Sequence, residues 1–168
     1  MDRQQIATTL VLKHLGIPLS METFNERLVI QKVIHLAQAL GVHLGYHYQW
    51  YLRGPYCPVL TRDMYAIVSE VAGGDDESER WSLEGQSKRG LDPLKERLAG
   101  LAAGEHPRQM ELLASVNFLL ATNQVREVPQ DIREKLRAFN KDFTEDEVQD
   151  ALAWLKERGL PRQGWVDS

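Results

Sequence analysis

The sequence predicts a mainly α fold of about six to eight helices, joined to a small two- or three-stranded β element. Three observations predict it. Apolar residues recur at helical spacing through most of the 168 positions. Capping boxes and prolines mark several helix starts. One segment, residues 43–52, instead alternates with period two and is rich in aromatic rings. The length fits a single compact domain over residues 1–168, with residues 159–168 as an irregular tail.

The first helix is expected over residues 2–15, with Ile6, Leu10 and Val11 as a short apolar stripe and Gly16 and Pro18 as stops. The second opens on a capping box, Thr23-Phe24-Asn25-Glu26, and carries Ile30, Val33, Ile34, Ala37 and Leu40 inward until Gly41. Residues 43–52 read as a strand with Leu44, Tyr46, Tyr48, Trp50 and Leu52 on its buried face. It ends in a tight turn at Arg53-Gly54-Pro55-Tyr56. A helix follows over residues 60–72, with Met64, Ile67, Val68 and Val71 inward.

Residues 73–79 read as a flexible acidic loop, and residues 80–83 as a short second strand stopped by Glu84-Gly85. Asp92-Pro93 is expected to cap and start the next helix, which carries Leu94, Leu98 and Leu101. Pro107 opens another, with Met110, Leu113, Ala114 and Phe118 inside; Pro129 opens a third around Ile132 and Leu136. The last begins at a second capping box, Thr144-Glu145-Asp146-Glu147, buries Val148, Ala151, Leu152 and Leu155, and stops at Gly159 and Pro161 before a tail containing Trp165.

Composition narrows the function classes. Hydrophobic residues at 43% and charged residues at 26% are ordinary globular usage. Uninterrupted apolar runs of about five residues fall far short of the ~18 that a membrane span needs, and no signal peptide is read at the N-terminus, so a cytoplasmic setting is expected. The one cysteine, Cys57, rules out an intrachain disulfide framework. Net charge is −4, but residues 1–62 hold six Lys/Arg against three Asp/Glu, whereas residues 63–168 hold fourteen against twenty-one. That balance argues against a protein coated in nucleic acid.

Catalytic and metal chemistry find little support. His43 and His47 share a strand face, yet four residues of strand span ~13 Å, too far for one ion, and no metal site is expected. Cys57 is a candidate reactive thiol, with His35 or His47 and Asp63 as conceivable partners, although a lone cysteine is more often a small buried hydrophobe. No glycine-rich phosphate loop appears, so no cofactor is expected. The order helix, strand, helix, short strand, helix is compatible with a winged-helix-like DNA-binding unit. The helix over residues 60–72 offers Arg62, Asp63, Ser69 and Glu70, a poor set for phosphates or base edges.

The segments Phe24-Asn25-Glu26-Arg27, Ile30-Gln31-Lys32-Val33-Ile34-His35-Leu36, Tyr46-His47-Tyr48-Gln49-Trp50-Tyr51 and Arg53-Gly54-Pro55-Tyr56-Cys57-Pro58-Val59-Leu60 resemble the small prokaryotic YwgA-like proteins. These are similar in turn to the Panacea domain of many antitoxins and phage-associated proteins. Their pattern is an F-x-x-R, a QK followed by an aromatic–leucine pair, an alternating aromatic strand and a GPYS-x-x-L turn. The resemblance extends through Trp81-Ser82-Leu83-Glu84-Gly85 and Asn140-Lys141-Asp142-Phe143-Thr144-Glu145-Asp146-Glu147. His35 departs from the usual aromatic ring and Cys57 from the frequent serine. The resemblance implies a mainly helical fold and, for the Panacea relatives, neutralisation of a partner toxin.

The function expected is a protein-binding module, antitoxin-like or regulatory, acting on a toxin or regulatory target by contact and not by catalysis. DNA binding by a winged-helix-like regulator is the alternative, and a cysteine enzyme the distant third. The expected contact patch is Gln31, Lys32, Tyr51, Arg53 and Tyr56, an aromatic and cationic set of the kind enriched at interfaces.

Overall fold

The computed structural model describes residues 1–162, so the expectation for Trp165 lies outside the described residues. Seven α-helices are present among them: α1 (Arg3–Leu15), α2 (Phe24–Ala39), α3 (Pro58–Ala72), α4 (Gly85–Ala99), α5 (His106–Ala121), α6 (Pro129–Ala138) and α7 (Glu145–Glu157). A two-stranded antiparallel hairpin, β1 (Gln49–Tyr51) and β2 (Gly54–Tyr56), lies between α2 and α3. The mainly α class with a small β element is therefore the observed fold. No helix among the described residues is long and apolar enough to cross a membrane.

The helix starts follow their local chemistry. Thr23 and Thr144 both form complete capping boxes, with Glu26 and Glu147 reaching back to the cap amides. Asp2 and Gln5 do the same for α1. α2 and α5 are buried along nearly their whole lengths and pack against each other at the centre. One continuous core runs from Val11 to Leu160. In α1 it takes Val11, Leu12 and Leu15, while Ile6 and Leu10 of the expected stripe are only half-buried. Val68 and Val71 of α3 are half-buried too.

Two glutamines on α2 shape the path of the chain after it. Gln38 accepts from the Tyr46 amide and donates to the Tyr46 carbonyl, each at 2.9 Å. Gln31 makes the same pair with Cys57, again at 2.9 Å for both bonds. Seven residues apart, they lie on one helix face. Each offers a passing segment the donor and acceptor that a neighbouring strand would offer.

This arrangement explains the main departures from the expected strands. Residues 43–48 keep the alternating burial, with Leu44, Tyr46 and Tyr48 inside and His43, Gly45 and His47 outside. They form no ladder, because side-chain amides of Gln38 and Gln4 take up their backbone groups. Only Gln49–Tyr51 pairs as strand, and Leu52 is not in the core: it stands at the hairpin tip, 77% exposed. The Gly54-Pro55-Tyr56 stretch, expected as the turn, is β2 itself, and the turn is the two residues Leu52 and Arg53. Pro55 is tolerated because a two-stranded sheet has only edges.

Residues 80–83 do not form the expected strand. Glu77–Arg80 is a 3₁₀ turn capped by Asp76, and residues 81–84 are irregular. The expected acidic loop is tied to α1: Lys13 pairs with Asp76, and the N-terminal amine reaches Glu70 and Glu77 at 2.9 and 3.3 Å. α4 starts at Gly85, so Pro93 lies inside the helix and is not its first residue. Leu91, Leu94 and Leu98 bury one face of α4, which outweighs the hydrogen bond that proline removes.

A cationic, aromatic-rimmed pocket under the hairpin

The five expected contact residues meet in one pocket. A cavity of about 430 Å³ is lined by Gln31, Lys32, Tyr51, Arg53 and Tyr56 together with Phe24, Arg27, Leu28, Leu52, Thr61 and Tyr65. Its walls come from α2 between Phe24 and Lys32, from the start of α3 and from the hairpin between them. The rim is apolar and exposed: Phe24 is 52%, Tyr51 61% and Tyr65 51% accessible, with Leu52 beside them. The Tyr51 and Tyr56 rings meet in a tilted contact at 5.6 Å, and the Arg53 guanidinium sits 5.5 Å from the Phe24 ring centre.

Two of the five residues are framework and not surface. Gln31 is buried, and its amide holds the Cys57 backbone and the Thr61 hydroxyl, which in turn meets the Tyr56 hydroxyl at 2.9 Å. Lys32 is only 1% exposed. Its Nζ donates to the Pro55 carbonyl at 2.6 Å, fastening β2 to α2. Burial pushes the Lys32 ammonium down to about 7; Glu111 opposes the fall and Lys141 deepens it.

Behind the pocket lie two charged residues absent from the expected set. Lys141 donates to Glu111 Oε1 at 2.6 Å and to the Leu52 carbonyl at 3.0 Å, and the side chains of Lys141 and Glu111 are both buried. Two lysines thus hold two hairpin carbonyls, and Glu111, ion-paired with Lys141, also acts on Lys32 through its charge. Glu111 carried a sequence signal: a lone acid among Met110, Leu112, Leu113 and Ala114 on a helix buried throughout implies a paired buried charge. Lys141 carried none, because it follows the left-handed Asn140 after α6, in a stretch that reads as loop.

Each of the other candidates has its own surroundings. Cys57 is buried in the core as the residue before α3, with its backbone clamped by Gln31. Asp63 accepts from the Tyr46 hydroxyl at 2.8 Å and Gln5 at 3.3 Å. His35 is buried against Tyr48, in an edge contact at 4.9 Å, and beside Asn117. His43 and His47 are exposed, and no group of three or more potential metal ligands occurs among the described residues.

No protein-family model matches the chain, and neither a curated protein nor a solved structure matches it significantly.

Proposed function

We propose that this chain is a cytoplasmic protein-binding module, antitoxin-like or regulatory, that holds a toxin or regulatory target in the pocket under the hairpin. One observation carries the reading. Of the seven large apolar side chains exposed among the described residues, four (Phe24, Tyr51, Leu52 and Tyr65) line this one pocket. Scattered exposed apolar residues are ordinary, but their convergence on a concavity marks an interaction site. The framework is held by hydrogen bonds from the buried side chains of Gln31, Lys32 and Lys141, so the rim is pre-organised for a partner. The likeness to the antitoxin-associated Panacea domain supports a protein as that partner.

The test is a tagged pull-down from lysate of the native host, with and without nuclease, run beside the Tyr51→Ala variant. A near-stoichiometric protein that survives nuclease and is lost with Tyr51→Ala is the expected result. A partner that Tyr51→Ala retains would place the contact elsewhere. Recovery that depends on nucleic acid would favour the DNA-binding alternative.

A further inference from the structure

The pocket's charge is one-sided. Its lining includes the guanidinium groups of Arg27 and Arg53, with the buried Lys32 amine behind them, and no carboxylate. This occurs on a chain whose net charge is −4. Three acidic residues of neighbouring elements are engaged away from it. Glu26 is taken up by Ser20 and the amides of Glu22 and Thr23, and Asp63 by Tyr46 and Gln5. Glu111, on α5, is bonded to Lys141. The cations keep free capacity. Arg27 spends one terminal nitrogen on the Met21 and Glu22 carbonyls, and Arg53 is exposed at the hairpin tip over Phe24. Behind them, Glu111 is ion-paired with Lys141, while the buried Lys32 amine donates to the Pro55 carbonyl.

We infer that the partner segment seated in this pocket is acidic and aromatic: an Asp or Glu beside a large apolar side chain. The carboxylate faces Arg27 and Arg53, with Lys32 behind, while the apolar side chain packs on Phe24, Tyr51, Leu52 and Tyr65. A planar guanidinium pair is suited to a carboxylate, and aromatic walls are suited to an apolar neighbour.

This inference rests on the protein-binding reading, and the experiment separates the two. A phage-displayed random dodecapeptide library is panned on the full chain, and selected peptides are titrated against wild type, Arg53→Glu and Tyr51→Ala. Acid-plus-aromatic peptides are expected, losing at least tenfold in affinity with Arg53→Glu, while circular dichroism shows the fold intact. Apolar peptides without an acid, bound within twofold by Arg53→Glu, would overturn the acidic inference and leave the protein-binding reading standing. Peptides indifferent to Tyr51→Ala, or no enrichment at all, would count against both. Self-association of the chain that Tyr51→Ala abolishes would overturn the inference in favour of a second copy as occupant.

Discussion

His35 shows how much one buried side chain can set the pH limits of the fold. Burial, with a smaller contribution from the Lys32 charge, pushes its imidazole down to about 3, so the ring is neutral in the folded state. An unfolded chain protonates the same ring near its ordinary value of ~6.5. Its folded pKa lies below the unfolded one, so the unfolded state binds the extra proton in the window between them. Stability therefore falls as pH drops from about 6.5 to about 3, by an amount on the order of 5 kcal/mol. Lys32 has the same sign at higher pH, where stability rises between about 7 and about 10.5. Replacing His35 with glutamine keeps a neutral group able to bond Asn117 and removes the titration. Acid unfolding of His35→Gln, followed by far-UV circular dichroism, is expected to have a lower midpoint than wild type. An unchanged midpoint would mean that other groups, not His35, drive acid unfolding.

The hairpin is the element at which sequence reading and structure part most clearly. Alternation in residues 43–48 correctly reports which side chains are buried, but burial with period two needs only an extended chain, not a strand partner. The partner here is Gln38, and a glutamine on a helix gives no sign that its amide will stand in for a strand. Gly-Pro reads as a turn because both residues favour turns, yet Gly54 is needed for a close approach. At φ +90°, a Cβ at Gly54 would sit 2.4 Å from the Ser115 hydroxyl oxygen, which has no hydrogen-bond partner among the described residues. Gly54→Ala is expected to destabilise by about 2 to 4 kcal/mol, from the left-handed backbone and the collision together. Adding Ser115→Ala should recover the collision part alone. Gly16→Ala gives the backbone part separately, because at φ +73° its added Cβ meets nothing within 4 Å. Urea unfolding of the three variants against wild type checks this, and equal losses for Gly54→Ala and Gly16→Ala would remove the collision from the account. The pocket was more legible than the hairpin. Tyr51, Arg53 and Tyr56 lie within a few residues of one another in sequence, whereas Phe24, Arg27 and Tyr65 join them only through the packing of α2 and α3.

Across the whole molecule, the Lys141–Glu111 pair joins three distant stretches: α5, the segment after α6 and the hairpin tip. The N-terminal part, which builds the pocket, is thereby fixed to the C-terminal helices that contribute no pocket wall. Such a pair gives little net stability over an apolar replacement, because desolvating two charges offsets most of their attraction. Removing one member is different. Glu111→Ala would leave Lys32 and Lys141 facing each other in the interior and drive the Lys32 ammonium further below its already lowered value, since Glu111 is the charge holding it up. A loss of about 3 to 5 kcal/mol is expected, with the hairpin loosened from α5 and peptide binding weakened along with it. The double variant Glu111→Met/Lys141→Met removes both charges and restores packing volume, and should regain most of that loss while leaving the Leu52 carbonyl without its donor. If guanidinium unfolding found the double variant as unstable as Glu111→Ala, the tie between the two halves would depend on the Leu52 bond more than on the charge pair. Hydrogen exchange of the hairpin amides would then show the same opening in Lys141→Met alone, since that substitution removes the same bond.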